Sequence, residues 1–225
     1  MAGDSWSADS FVAELGVKLA AALAGGGEVA ALTRAVTEAA AAAESVCSGR
    51  PMACAAGCPY CCVLNAAILL PEGMIIAQWM RERLPRSELV ALQERLRLHR
   101  IWTRYMDDEE RILKHMVCPM LDQDGLCMVH PVRPLVCRAV VSLDSDVCRE
   151  AFAPVVNDEA PLIVTDFLRQ AAYDAAFTEL ARNLRLYGLD DRSIELGVGV
   201  LAFLEHPEYR ELFLAGGKLP VELWL

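Results

Sequence analysis

Aromatic residues make up only 7% of this 225-residue chain, and β-branched residues are sparse outside short stretches. Both shortages argue against a fold built on sheets and favour helices. Positive charge is in deficit too. The formal net charge is −10, so the surface repels phosphate backbones and no nucleic-acid partner is expected. The chain has no Gly-rich phosphate loop, no Gly-x-Ser-x-Gly and no His-Glu-x-x-His. Gly25–Gly27 lacks the flanking strand that a dinucleotide site needs, and reads as a hinge between helices. No Lys or Arg precedes Lys18, so no secretory leader is expected. The longest uncharged run, Pro51 to Pro71, contains three prolines, Gly57, Asn65 and four cysteines, which a regular membrane helix would not carry. A cytoplasmic protein without a membrane partner is the expectation.

What the chain has in excess is alanine: 33 residues, 15 of them before Val46, within an apolar total of 55%. The length suits one domain, and this hydrophobicity speaks against disorder. Phe11, Leu15, Leu19 and Leu23 recur at steps of four, which predicts a helix over 9–24. A second alanine-rich helix is expected from Glu28 to Val46. Pro71 suits a helix start, with Gly73–Leu84 helical up to Pro85. Ser87 can cap a long helix from Glu88 to His115, with Leu89, Leu92, Leu96, Ile101 and Tyr105 as its buried stripe. His99 and His115 read as surface groups on that helix. Residues 81–104 carry seven arginines against three glutamates, read as a solvated face with pairs such as Glu82–Arg86.

Asp144 or Ser145 can cap a short helix holding Cys148 and Phe152. Phe167, Ala171, Phe177, Leu180, Leu184 and Tyr187 trace an amphipathic helix stopped at Gly188. Further helices are expected over Asp190–Glu205 and Pro207–Leu214, followed by an apolar tail, Leu219–Leu225, which could dock a partner. There is no βαβ alternation. The reading is an all-α fold, an irregular helical domain interrupted by two cysteine-bearing loops. It is one domain over 1–225, with N-terminal helices (1–46), a cysteine region (47–152) and C-terminal helices (153–225).

Nine cysteines are present, and in a reducing compartment regularly spaced thiols are more often metal ligands than disulfides. Cys54, Cys58, Cys61 and Cys62 form one cluster; Cys118, Cys127, Cys137 and Cys148 form a looser set. Cys47 stands apart, and its replacement is expected to change neither metal content nor stability. The first loop is turn-rich, with Gly57 and Pro59 bending it. Cys54-x-x-x-Cys58-x-x-Cys61 also has the spacing used by radical S-adenosylmethionine enzymes, but the run of strands for their β/α barrel is missing. In the second region Asp122, Asp124 and Gly125 lack the further ligands of a calcium loop. They read as a turn bringing Cys118 and Cys127 together. All-thiolate ligation selects zinc, iron–sulfur clusters or Cu(I), and eight thiolates equal two four-coordinate sites, or one site plus structural thiols. Adjacent Cys61 and Cys62 point in different directions in most backbone conformations and are expected to serve different roles.

The first loop, Cys54-x-x-x-Cys58-x-x-Cys61-Cys62, is followed by Cys118-Pro119-x-Leu121, Gly125-x-Cys127-x-Val129-His130 and Arg133-Pro134-x-x-Cys137-Arg138. Together these blocks resemble the YkgJ-type cysteine-cluster family of zinc- or iron-chelating or iron–sulfur proteins. The resemblance covers Cys54 to about Cys148. It implies Cys54, Cys58, Cys61, Cys62, Cys118, Cys127 and Cys137 as metal ligands, with Cys148 as an eighth. Arg133 and Arg138 fall on the family motif and are expected beside the centre, offsetting thiolate charge; Arg50 and Arg149 are weaker candidates. His130 stands where the family places tyrosine, and reads as a ring bonded to backbone partners rather than to metal.

An iron–sulfur cluster, four-iron in preference, is expected ahead of zinc, with a redox or accessory role and an unidentified protein or redox partner. A structural zinc module that presents helices to a partner is the second reading. The cysteine pattern is also similar to that of flagellin lysine methylases, which implies an iron–sulfur-dependent methyltransferase as a third. No methyl-donor site is evident outside the cysteine blocks.

Overall fold

A helix whose buried face is alanine can lie close against its neighbours, and α2 (Val29–Cys47) buries Ala31, Leu32, Ala35, Ala39, Ala43 and Cys47. It packs on α1 (Ala8–Leu23) and on α8 (Phe167–Leu186), which also pack on each other. The structure, a computed structural model, describes residues 6–24, 28–153 and 161–224. The Gly25–Gly27 hinge and the last residue of the tail lie outside these. Ser7 caps α1 by accepting from Ser10 N–H at 3.5 Å, and Asp166 caps α8 by accepting from Leu168 and Arg169. A partly buried polar cluster crosses between α2 and α8. Arg169 of α8, 3% exposed, donates both terminal nitrogens to Glu44 of α2 at 3.0 Å, and Tyr173 Oη donates to the same carboxylate at 2.6 Å.

A second layer forms around α9 (Leu196–Glu205), buried from Leu196 to Leu204. It is flanked by α3 (Leu70–Arg83), α4 (Arg86–Thr103) and α10 (Pro207–Leu214). Close approach of α3 and α9 depends on glycine. A Cβ on Gly73 would lie 3.2 Å from the Gly199 carbonyl carbon, and one on Gly199 only 2.8 Å from Ile194 Cγ2. Two short strands, β1 (Ala67–Leu69) and β2 (Ser193–Glu195), pair antiparallel with Ile68 opposite Ile194. They tie the end of the first cysteine loop to the start of α9. Periodicity could not reveal three-residue strands, so the helix expected over Asp190–Glu205 begins at Leu196 instead.

The long helix expected from Glu88 to His115 is two helices, α4 and α5 (Asp108–Leu113). Tyr105 between them takes a left-handed φ of 76°, and the Asp107 carboxylate accepts from Glu110 N–H at 2.9 Å. The acidic run at 107–110 therefore opens a helix, where the dipole favours it, rather than crowding a helix interior. The buried stripe of α4 is Leu92, Leu96, His99 and Thr103; Ile101 and Tyr105 face solvent. The expected Glu82–Arg86 pair is not formed, since Arg86 opens α4 while Glu82 in α3 accepts from Gln78. In α8 the inward stripe is shifted from the expected one: Ala172, Tyr173, Ala176, Leu180 and Leu184 are buried, while Phe167 is exposed. The tail packs on its own body. Leu219 is buried and Trp224 Nε1 donates to the Ser193 carbonyl at 2.6 Å, which removes the tail as a free docking segment. Among the described residues no helix is long and apolar enough to cross a membrane. The described residues are all-α apart from the small sheet, with Cys54, Cys58, Cys61, Cys62, Cys118 and Cys127 in loops and turns, and Cys47, Cys137 and Cys148 in helices.

Candidate metal centre

Three chain segments deliver the thiols. The first follows α2, where two prolines and Gly57 (φ 82°) turn the chain into a 3-10 turn, Tyr60–Val63, holding Cys61 and Cys62. The second starts at Cys118 and doubles back through the expected Asp-Gly turn. Asp122 Oδ1 accepts from Asp124 and Leu126, Gly125 takes φ 75°, and Leu121 bridges Cys127. The segment then enters α6 (Leu135–Ala139), which carries Cys137, and α7 (Ser145–Ala151), which carries Cys148 under an Asp144 cap. Backbone hydrogen bonds lock the segments together: Cys118 N–H donates to the Cys62 carbonyl at 2.7 Å, and Ala53 N–H to the Ser142 carbonyl at 2.8 Å.

A cavity of about 560 Å³ opens between them, lined by Cys54, Cys58, Cys61, Cys62, Cys118, Cys127 and Cys137. Cys148 is not on its wall; it is 7% exposed, behind Cys54, Cys58 and Cys61. Cys118 and Cys127 neighbour Cys137 on the other side, and Cys61 is near both groups. Among the described residues, no three His, Cys, Asp or Glu side chains are placed so that they could hold one metal ion. The donor set is nevertheless all sulfur on this part of the cavity wall, which fits a soft ion or an iron–sulfur cluster.

The sulfurs also have donors aimed at them. Backbone N–H groups two residues on, from Tyr60, Met120 and Val129, face Cys58, Cys118 and Cys127, and Ser142 N–H donates to Cys54 Sγ at 3.4 Å. Such donors favour the thiolate form and tune a bound centre. Burial opposes them. It pushes the Cys118 thiol up to about 12, and burial together with neighbouring sulfurs raises Cys137 and Cys58. Cys61 is raised chiefly by its contact with Cys62, then by burial. These thiols are protonated at neutral pH unless a cation takes the proton's place.

Of the expected arginines, Arg133 lines the cavity and its buried Nε has no partner. Arg138 is off the wall; it donates Nε to the Arg133 carbonyl at 2.9 Å and so braces the loop that presents Arg133. Arg50 pairs with Asp166 at 2.5 Å and Arg149 with Asp146 at 3.1 Å, so neither faces the thiols. His130 lines the cavity and is exposed, and among the described residues no backbone partner holds its ring. Burial, then Arg133 and Arg138, lower its pKa. Cys47 is apart from the thiol group, as expected, but it is a core residue at 1% exposure.

Sequence reasoning missed two groups. Glu72 in α3 is fully buried; it accepts from Leu69 N–H and from Leu135 N–H, each at 2.8 Å, and so holds the start of α6 and with it Cys137. The second group, His99, Arg111, Asp108 and Glu195, lines the same cavity, with Glu195 near Cys118. Steps of four and then three from Leu92 through Leu96 to His99 were the available signal that the imidazole points inward.

Residues 53–153 match a family model named CxxCxxCC and described as a "putative zinc- or iron-chelating domain". The match covers 101 of the 225 residues, and this segment is similar to that family. The match spans both cysteine loops, α6 and α7, the region in which the sequence resembles cysteine-cluster proteins. No curated protein and no solved structure matches the chain. Metal binding through cysteines is what family and donor set together support.

Proposed function

We propose that this protein is an iron–sulfur protein in which Cys54, Cys58, Cys61, Cys62, Cys118, Cys127, Cys137 and Cys148 supply the thiolates. Seven thiols around one cavity, met by backbone N–H donors, carry this reading. The division into Cys54, Cys58 and Cys148 on one side and Cys118, Cys127 and Cys137 on the other supports two four-thiolate sets. In that arrangement Cys61 and Cys62 complete one set each. A bound cluster supplies one-electron chemistry, which makes electron transfer or an accessory redox role in the cytoplasm the proposed activity.

The chain's own residues set the conditions for that chemistry. The backbone donors and the unpartnered Arg133 Nε offset thiolate charge, and the apolar wall of Met120, Leu126, Val129 and Val136 limits water. The test is iron, zinc and acid-labile sulfide content on protein purified without oxygen. Iron with matching sulfide is expected, together with broad absorbance near 400 nm. Stoichiometric zinc without sulfide would overturn the cluster and make the site structural.

A further inference from the structure

Part of the cavity wall is lined by charged side chains and an imidazole rather than by thiols, with Glu195 near enough to Cys118 to raise its pKa. His99 of α4 is 8% exposed, and among the described residues its ring nitrogens make no close hydrogen bond, the Met116 backbone lying beside them. Arg111 of α5 is 4% exposed, and its Nε is buried without a partner. Its nearest carboxylate is Glu195 Oε1 at 3.6 Å, beyond hydrogen-bond distance. The other Glu195 oxygen is engaged, accepting from Val198 N–H at 2.9 Å to cap α9. Asp108 stands on the same part of the wall, exposed, with Oδ1 accepting from Asn65 N–H at 2.6 Å. Leu64, Ala66, Met116 and Leu196 supply the apolar wall between these groups.

Arg111 Nε is a buried donor left open on the cavity wall, and the neutral His99 ring adds one donor and one acceptor there. The open groups are of two kinds. Arg111 and His99 offer donors suited to a carboxylate, while Asp108 and Glu195 offer negative charge suited to an ammonium. A lone oxyanion would sit against two carboxylates, and a lone cation against Arg111. A ligand carrying both charges leaves neither conflict.

We propose that this part of the cavity binds a zwitterionic amino-acid headgroup with an apolar side chain. Its carboxylate is held by Arg111 and His99 and its ammonium by Asp108 and Glu195. The inference goes beyond the metal reading and does not depend on what the thiols hold.

Three probes with one apolar body test it: L-phenylalanine, 3-phenylpropionate, which lacks the ammonium, and phenethylamine, which lacks the carboxylate. They are titrated by calorimetry into the full-length protein as purified, with metal and sulfide measured on the same samples. L-phenylalanine is expected to bind saturably and at least ~10-fold tighter than either single-charge probe, the loss equivalent to one charge-assisted contact. R111M is expected to weaken L-phenylalanine and 3-phenylpropionate by ~10-fold or more, with metal content and helicity unchanged. The absence of saturable L-phenylalanine binding overturns the site, and so does equal affinity for a single-charge probe. Loss of metal in H99F with unchanged L-phenylalanine affinity also overturns it, by making the imidazole a metal ligand. The wild-type comparison stands alone if R111M does not fold. A failed metal reading shows separately, as wild-type protein without iron or zinc.

Discussion

Single side chains carry more of this fold than their types suggest. Burial raises the Glu72 carboxyl from 4.5 to about 7, against two backbone N–H donors that favour its charged form. The folded state thus holds a proton that the unfolded chain loses between these values. Stability from Glu72 is full below pH 4.5 and is lost as pH rises through about 7. The span corresponds to roughly 3 kcal/mol. Urea unfolding of wild type and E72Q at pH 5 and pH 8 measures it. The wild type is expected to lose stability relative to E72Q at the higher pH, and parallel curves would sink the assignment. Cys47 and Cys137 separate packing from ligation. C47S leaves an unpaired hydroxyl in the core, so it is expected to cost about 1–3 kcal/mol with metal content intact. This replaces the expectation, drawn from sequence position alone, of no effect on stability. C137S is expected to lower both metal content and melting temperature.

At the scale of elements, the contact between α9, α3 and the small sheet decides where the first cysteine loop ends. Gly199 faces Ile194 and Ile68 so closely that G199A must move one of them. The expected cost is about 1–3 kcal/mol, read from thermal unfolding. An unchanged melting temperature would mean that the sheet shifts freely. Helices α1, α2, α3 and α10 were legible because alanine and leucine recur at helical spacing and Pro71 and Pro207 mark two of the starts. The α4–α5 break was not. Residues 104–107 contain neither proline nor glycine to mark a stop, and the left-handed Tyr105 and the Asp107 cap interrupt the helix. The strands escaped for a similar reason: three residues are too few to show a period of two.

At the scale of the whole molecule, the structure divides into helices that bury apolar faces on one another and cysteine loops held by turns and by backbone bonds such as Cys118 N–H to the Cys62 carbonyl. If the thiols hold a metal centre, removing it should act on the second part first. Hydrogen exchange is expected to speed up in 48–65 and 117–138 on chelation, while α1, α2 and α8 keep their protection. Equal protection with and without metal would mean that the loops are held by packing alone. The Glu44–Arg169–Tyr173 contact belongs to the protected part. Its carboxyl is lowered to about 2, first by the Arg169 hydrogen bond, so its contribution persists down to acid pH and is lost only as pH falls through that value.

The helical class, the two cysteine loops and the resemblance of the cysteine segment to a chelating family follow from the sequence alone, because spacing and composition act locally. So does the Asp122–Gly125 turn, whose hydrogen bonds span four residues. Tertiary structure alone decided which groups share the cavity. His99, Arg111 and Glu195 come from three elements up to 96 positions apart, and nothing in any of those segments signals the other two. It also decided that Arg133 faces the thiols while Arg138 braces the backbone behind it. Burial is the reason in each case. A charged side chain in a polar-looking helix reads as solvated until a second element closes over it and leaves its nitrogens without water.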